Sequence, residues 1–326
     1  MGMTEALAPA PSRKRVTVVG DALIDELRDP HGSREFVGGA ALNVAIGLAL
    51  LGEEVTLIAM LGDDEPAERI RAYLEHHGVR LVESPSAHGT SRAISDRSEG
   101  GEPRYEFNMA AKHRSIRFDA TTLAAVDEAD LVVVSCFPFD DRPQFNALVD
   151  AIHRPGERLI VDGNPRSGML ADRDAFLANF EAFAARSLLV KVGDEDADLL
   201  LGNSLEAFVS RLRSPSASGG GSADPSRSEL PRAILATAGR DGAVVHAGEV
   251  VVQEDIVVLP GSIVDTMGAG DATLSAIVHH IAVHGMPTTT DAWSDALREA
   301  MTIAAATVRH EGALLRVPAD EALSPS

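Results

Sequence analysis

The sequence predicts an α/β fold built on a mostly parallel sheet, and three features carry that expectation. Short aliphatic runs at 16–19, 55–59, 131–135, 159–161, 188–190 and 233–237 alternate with longer amphipathic stretches, the pattern of parallel strands joined by helical crossovers. Residues 40–51 and 66–77 run into Gly52 and Gly78, as helices stopped by glycine do. Between 84 and 117 the pattern changes to short alternating segments, 90–95 and 104–108, separated by the turn-prone SEGGEP. That stretch reads as a small antiparallel sheet inserted into the α/β body.

At roughly 150 residues per domain, 326 residues make about two units or one large α/β domain. Aromatic residues are only 4% of a chain that is 45% hydrophobic, so the core is expected to be aliphatic. Lys+Arg 29 against Asp+Glu 49 gives −20 at pH 7, a field that repels nucleic acid and anionic lipid. The expectation is no nucleic-acid partner and no membrane partner. The same field repels nucleotide phosphates, so any phosphate site must be built locally from backbone amides, a few arginines or a metal ion. The one cysteine, Cys136, has no intrachain disulfide partner, which fits a reducing cytoplasm. Following the bulk of its kind, it is expected to be a buried small hydrophobe rather than a nucleophile. The apolar run 40–51 contains Asn43 and falls short of the ~18 residues that span a bilayer. Residues 1–15 are expected to be a flexible tail, 319–326 a second one, and the low-complexity stretch 213–229 a mobile surface loop on a domain spanning 16–318.

Two glycine-rich segments carry chemistry. Asp265-Thr266-Met267-Gly268-Ala269-Gly270-Asp271 leads into a helical stretch at 272–284. Glycines there let successive N–H groups face a ligand at the positive end of a helix dipole. An acid, Asp271, stands at the mouth of that anion hole, where it suits a general base that takes a proton from an attacking hydroxyl. No lysine follows the glycines, since the chain's lysines are Lys14, Lys112 and Lys191, so this is not the P-loop of Walker-type NTPases. A plain tight helix start is the competing reading. The other segment, Gly38-Gly39-Ala40-Ala41-Leu42-Asn43-Val44-Ala45, pairs glycine amides with an amide side chain one turn later, a set suited to a polyhydroxylated ligand. Close helix packing is its alternative.

In order and spacing, GGAALNVA and DTMGAGD resemble the two signatures of the ribokinase-like (PfkB) carbohydrate kinase family, and the likeness runs from Val16 to about Ala313. The resemblance implies a three-layer α/β/α sandwich with a mostly parallel central sheet and a small β lid over the sugar. It implies transfer of the ATP γ-phosphoryl group to a sugar hydroxyl, with Asp271 as general base and Gly268, Ala269 and Gly270 in the anion hole. Gly38, Gly39 and Asn43 would bind the sugar.

Further segments are similar to the fructokinase-like branch. In Gly20-Asp21-Ala22-Leu23-Ile24-Asp25 the final acid, Asp25, would bind sugar hydroxyls. Asp162-Gly163-Asn164-Pro165-Arg166 resembles an Asp-Pro-Asn-x-Arg stretch, with Arg166 facing the substrate or the transferred phosphoryl group; a turn held by Asn164 is the alternative. The segment from Lys191 to Asp196 stands at the family's Asn-x-x-Glu motif, with Gly193 for Asn and Asp196 for Glu. Lys191 would lie at the nucleotide and Asp196 would organise Mg2+, unless it serves as a helix-start acid. Thr237, Gly239 and Gly242 match a turn along the nucleotide, and Gly312 and Ala313 match the small pair that borders the adenine pocket. Asp63 and Asp64 match a Gly-Asp-Asp turn and are expected to cap a loop.

ATP, Mg2+ and a monovalent cation such as K+ are the implied cofactors, and a small sugar, fructose-like or a keto-sugar, the implied acceptor. A nucleoside kinase and a non-catalytic sugar sensor are the alternatives; Tyr105 and Phe107 are scant aromatics for a base, and a sensor has no need of Asp271. Ala93, Tyr105 and Phe107 recur near period two in the lid, which predicts one apolar face and a homodimer through residues 84–117.

Overall fold

The computed structural model describes residues 13–30, 32–96, 104–153, 157–214 and 230–318. Of the sequence expectations, the tail as far as residue 12, the turn at 98–103, the stretch 215–229 and the C-terminal residues 319–326 lie outside the described residues.

The chain opens with β1 (Arg15–Gly20), β2 (Leu23–Asp29), β3 (Gly32–Gly38), α1 (Ala40–Leu50), β4 (Glu54–Leu61), α2 (Glu65–His76) and β5 (Arg80–Pro85). It continues through β6 (Ser91–Asp96), β7 (Arg104–Phe107), the one-turn α3 (Met109–Lys112), α4 (Ala120–Glu128), β8 (Leu131–Ser135), α5 (Arg142–Ala151) and β9 (Leu159–Asp162). Then come α6 (Arg173–Ala184), β10 (Leu189–Gly193), α7 (Asp194–Leu201), α8 (Leu205–Leu212), β11 (Ala233–Thr237), β12 (Ala243–Ala247), β13 (Val250–Glu254), α9 (Ala269–His284) and α10 (Thr290–Thr307).

A nine-stranded sheet has the order β13-β12-β11-β10-β9-β8-β1-β4-β5. It is parallel from β5 to β11 and ends in the antiparallel hairpin β12–β13. Strand side chains alternate between faces, so each strand feeds two helical layers. Val16 and Val18 of β1 join Leu42 of α1, Ile277 of α9 and Trp293 of α10 on one side. Val19 joins Val126 of α4, Leu148 of α5, Phe180 of α6 and Phe208 of α8 on the other. The second layer gathers the aromatics: Phe139 lies 5.6, 5.5 and 5.7 Å, centroid to centroid, from Phe137, Phe176 and Phe180. A three-layer α/β/α sandwich is thus the observed architecture. Because β1 has β4 on one side and β8 on the other, connections leave in opposite directions there. A crevice forms at the carboxyl ends of such strands, the usual ligand position in open α/β sheets.

The lid corrects one expectation. Residues 84–117 do not form it alone, and it is not wholly antiparallel. It is a four-stranded sheet in the order β3-β2-β6-β7, with β2 and β6 parallel. Half of it comes from residues 23–38, while Ser84 and Pro85 belong to β5 in the large sheet. The physical reason lies in GDALID: the chain turns sharply at Asp21-Ala22 and starts a second strand, so Asp25 sits on the lid, not at the end of β1. Asp64, expected to cap a loop, caps helix α2 instead, accepting from the Ala67 N–H at 3.1 Å, and also fixes the lid's root through the Thr90 N–H at 2.8 Å.

Phe139 is fully buried among its aromatic neighbours, and Phe139→Ala leaves a cavity where several rings met. The variant is expected to lose about 3–5 kcal/mol of unfolding free energy, measured by denaturant titration. A loss under about 1 kcal/mol would show that this layer repacks.

Candidate active site

The two glycine-rich segments, far apart in the chain, become one site because α1 packs against α9. A Cβ on Gly47 would stand 2.6 Å from the Ser275 Oγ, so the helices approach closely only because that position is glycine. Ser275 Oγ donates to the Asp271 carbonyl at 2.8 Å. Asn43 Nδ2, one turn into α1, donates to Asp271 Oδ2 at 2.8 Å.

Helix α9 begins at Ala269, three residues before the expected start, so Asp271 stands in its first turn. Gly268 precedes it at φ 77°, the left-handed region open to glycine. Added to Gly268, a Cβ would sit 2.6 Å from the Ala313 Cβ. The Ala269 N–H turns back to the Thr266 carbonyl at 3.3 Å. Of the residues expected in the anion hole, Ala269 thus has its amide engaged, and the Gly270 amide, joined by that of Asp271, is left to face a ligand.

Behind that loop is a buried cation. Lys191 of β10 and Asp162 at the end of β9 are cross-strand partners. Lys191 Nζ donates to both Asp162 carboxylate oxygens, at 3.1 and 3.2 Å, with side-chain exposures of 7% and 0%. A Cβ on Gly270 would lie 3.5 Å from Lys191 Nζ, so the ammonium backs directly onto the helix start. Burial disfavours the charged lysine, but Asp162, and then Asp196 and Asp271, raise its pKa above the ordinary value. Burial pushes the Asp271 carboxyl up to about 6, against the Asn43 hydrogen bond and the charges of Lys191 and Arg166, which pull it down.

On the lid side, a Cβ at Gly38 would fall on the Asp25 carboxylate. Asp25 is pushed up to about 7, first by burial and then by the charge of Asp21. Gly39 has φ 108°, and a Cβ there would lie 3.0 Å from both the Ala22 Cα and the Asp21 carbonyl. Asp21, buried and with its pKa raised by that burial, accepts from the Ala41 N–H at 3.0 Å and so fixes the start of α1. Ala40, Ala111, Cys136 and Met169, with Phe107 against them, form a small apolar cluster beneath the lid. Cys136 and Asn164 hold positive φ angles of 51° and 40° at the ends of β8 and β9. Burial pushes the Cys136 thiol up to about 12, which fits a packed hydrophobe and not a nucleophile.

Other expected residues fall in less central places. Arg166 is exposed, 3.7 Å from Glu195, and electrostatically adjacent to Asp21, Asp25 and Asp271. Asp196 Oδ2 accepts from the Gly193 N–H at 2.8 Å, the geometry of a helix-start acid. Among the described residues no group of three or more His, Cys, Asp or Glu side chains is placed to hold a metal ion. Thr237 Oγ1 donates to the Val192 carbonyl at 3.4 Å. Gly239 and Gly242 both have positive φ, but a Cβ on Gly242 would collide with the Glu254 carbonyl, so the β12–β13 hairpin already requires that glycine. Gly312 donates its N–H to Asp265 Oδ2 at 3.2 Å, placing Gly312 and Ala313 directly behind the anion loop.

Sequence reasoning missed the Lys191–Asp162 pair, although its signal was present: each is a charged residue at or near the end of an aliphatic strand. Arg114 was also missed. Its Nη1 donates to the Cys136 carbonyl and to Cys136 Sγ at 3.2 Å, a contact made by a loop without a spacing signature.

The model of the pfkB family carbohydrate kinases matches residues 13–320. A fructokinase of Salmonella typhimurium is 26% identical over 309 residues, covering 93% of this chain and 96% of that one. Among solved structures, a fructokinase double mutant of Vibrio cholerae O395 with fructose, ADP and potassium ion bound superposes with TM-score 0.72 at 19% identity, covering 94% of this chain and 95% of that one. An aminoimidazole riboside kinase of Salmonella enterica superposes with TM-score 0.66 at 20% identity, covering 92% and 95%.

Removing one partner of a buried ion pair leaves the other charge uncompensated, which costs about 3–5 kcal/mol. Asp162→Asn is expected to be destabilised by that order in denaturant unfolding. The double variant Asp162→Asn, Lys191→Met is expected to recover most of the loss, and no recovery would show that the pair is not the unit.

Proposed function

The chain belongs to the pfkB family of carbohydrate kinases and is an ATP-dependent sugar kinase; within that class we propose that its acceptor is a fructose-like or keto-sugar and that Asp271 is the general base. One observation supports this reading above the others. The Asp271 carboxylate is held by Asn43 at the mouth of two free helix-start amides, with the Lys191 ammonium behind them. The acceptor hydroxyl oxygen bonds to the γ-phosphorus as its proton passes to Asp271, and the bond to the ADP oxygen breaks. The Gly270 and Asp271 amides and the Lys191 charge stabilise the oxygens of the transferring group. Asp25, Gly38, Gly39 and Asn43 orient the acceptor hydroxyls, and Arg166 meets the transferred group bidentately.

ATP fits the loop, since Ala313 and Lys191 back its glycines and leave the Gly270 and Asp271 amides to face phosphate oxygens. Mg2+ fits through water: Asp196 keeps one oxygen unbound by Gly193, and magnesium leans on substrate phosphates and several waters. When bound, Mg2+ neutralises phosphate charge. Thr237, Gly239 and Gly242 would lie along the nucleotide and Gly312 and Ala313 near its base. A monovalent cation belongs to the same proposal, supported by the potassium ion in the Vibrio cholerae fructokinase structure. A keto-sugar is favoured over a nucleoside because the apolar cluster beneath the lid offers Phe107 as its ring and is otherwise aliphatic or sulfur-bearing. ADP release measured over hexoses, ketoses, deoxy-sugar acids and nucleosides tests the acceptor, and turnover confined to nucleosides would overturn it.

Asp271→Asn keeps shape and amides but removes the base. Turnover is expected to fall about 10² to 10⁴-fold with little change in the ATP and sugar dissociation constants; wild-type-like turnover would remove Asp271 from this role. The base must be ionised to act, so kcat in the wild type is expected to fall as pH drops through about 6. Asn43→Leu removes a hydrogen bond that lowers that pKa, so its acid limb moves to higher pH.

We propose a homodimer through lid residues 84–117, in which Ala93 and Phe107 pair in register. Light scattering at micromolar concentration is expected to give twice the chain mass, and a monomer mass would exclude it.

A further inference from the structure

A cavity of about 310 Å³ lies between the lid's edge strand β3, helices α1 and α2, and the segment 311–316. Small-molecule sites run from about 300 to 1,000 Å³, so this one is sized for a small metabolite and not a dinucleotide. It adjoins the acceptor pocket, with Asn43 in the wall between them. Cross-strand partners share a face of a sheet, and Asp25 pairs with Phe36. Glu35 and Val37, which line the cavity, therefore point to the opposite side of the lid from Asp25, while Phe36, also in the wall, stands on Asp25's side.

The charges in its wall are unequally satisfied. Glu35 is already engaged by both Arg69 and Arg92, and Glu311 by Arg34. Arg316 has no ion pair or side-chain hydrogen bond among the described residues. It lies near enough to Tyr73 to offset part of the upward push that burial gives the phenol. An unneutralised guanidinium beside a phenol hydroxyl suits a phosphate group. Phe36 and Tyr73 supply ring faces, and the Glu35 and Glu311 carboxylates supply acceptors for hydroxyl donors.

The wall also touches the catalytic parts. Asn43 lines the cavity and holds Asp271. Gly312 and Ala313 line it too, with Gly312 bonded to Asp265 and Ala313 packed where Gly268 has no side chain. At its rim the ion pairs Arg69–Glu35 and Arg34–Glu311 tie the lid to the body. Resting on the kinase reading above, we propose that this cavity is an effector site for a sugar phosphate, a phosphate monoester with a hydroxylated body, which holds the lid against the body and tightens acceptor binding.

The test is isothermal titration of the full chain, preloaded with a saturating non-hydrolysable ATP analogue, with fructose 1-phosphate, fructose 6-phosphate and inorganic phosphate in separate arms. One equivalent of at least one ester is expected to bind despite the preloading. Arg316→Ala is expected to weaken it about tenfold or more, the scale of one charge-assisted hydrogen bond, with Arg316→Lys between the two. Without effector, kcat and acceptor KM of both variants should stay within about twofold of wild type, since Arg316 is exposed and touches no reacting group. In wild type the bound ester should lower acceptor KM about fivefold, and in Arg316→Ala leave it unchanged. No heat with any arm at millimolar concentration, displacement by the ATP analogue, or an isotherm indifferent to Arg316→Ala would each overturn the site. Inorganic phosphate binding as tightly as the esters would overturn the hydroxylated ligand. Inactivity on every sugar with an intact ester isotherm would instead count against the acceptor assignment and leave the site standing.

Discussion

A buried lysine ammonium paired with a buried carboxylate sets the terms for the rest of this molecule. The chain carries −20, and its catalytic end gathers the carboxylates of Asp21, Asp25, Asp162, Asp196 and Asp271 within electrostatic reach of one another. Phosphate chemistry in such a field needs a fixed positive charge that water cannot screen. In the proposed mechanism Lys191 supplies it, but a lone buried ammonium would lose its proton. Asp162, one strand away and wholly buried, keeps it charged. The parallel register of β9 and β10 then becomes functional, because it places the pair side by side under Gly270. Glycine at 270 follows, since a larger residue would separate the helix start from the cation it depends on.

Most of the body was legible because its signals are local. Aliphatic runs marked the parallel strands, and Gly52 and Gly78, both at positive φ, marked the ends of α1 and α2. The lid was half legible. Its β6 and β7 showed as alternating segments, but β2 and β3 lie before α1, and nothing near Asp25 announces that Leu23 will pair with Ser91. Pairing across such a separation is a tertiary outcome, decided by which surface the strand can cover. The turn between β11 and β12 likewise left only Gly239 and Gly242 as its mark, and those matched a nucleotide turn equally well.

At the site, residue types were easier to read than their partners. Asp271, Asn43 and the paired glycines stood out by motif, and the structure brings them together through the α1–α9 contact. That Asn43 bonds Asp271 itself depends on helix packing, which no spacing encodes. Asp196 shows the converse. A carboxylate at the start of a helix satisfies a backbone N–H whether or not it also meets metal-bound water, so the residue type alone could not choose between the two. Its observed bond to Gly193 uses one oxygen and leaves the other for a second task.

The glycines illustrate why packing and ligand readings of a motif need not compete. Gly47 meets Ser275 and Leu315, and Gly242 meets Glu254 and Asp255; packing accounts for both. Gly268 is constrained twice, by its left-handed backbone and by Ala313 against its missing side chain. The same conformation that lets Ala313 close in turns the next amides outward. The loop proposed to meet the phosphates is therefore held in shape by the segment at its back, and that segment is in turn tied by Asp265, whose two oxygens accept from Met267 and Gly312. A cradle fixed this way pays little reorganisation when charge develops on a phosphoryl group, which is the condition under which backbone amides are most effective.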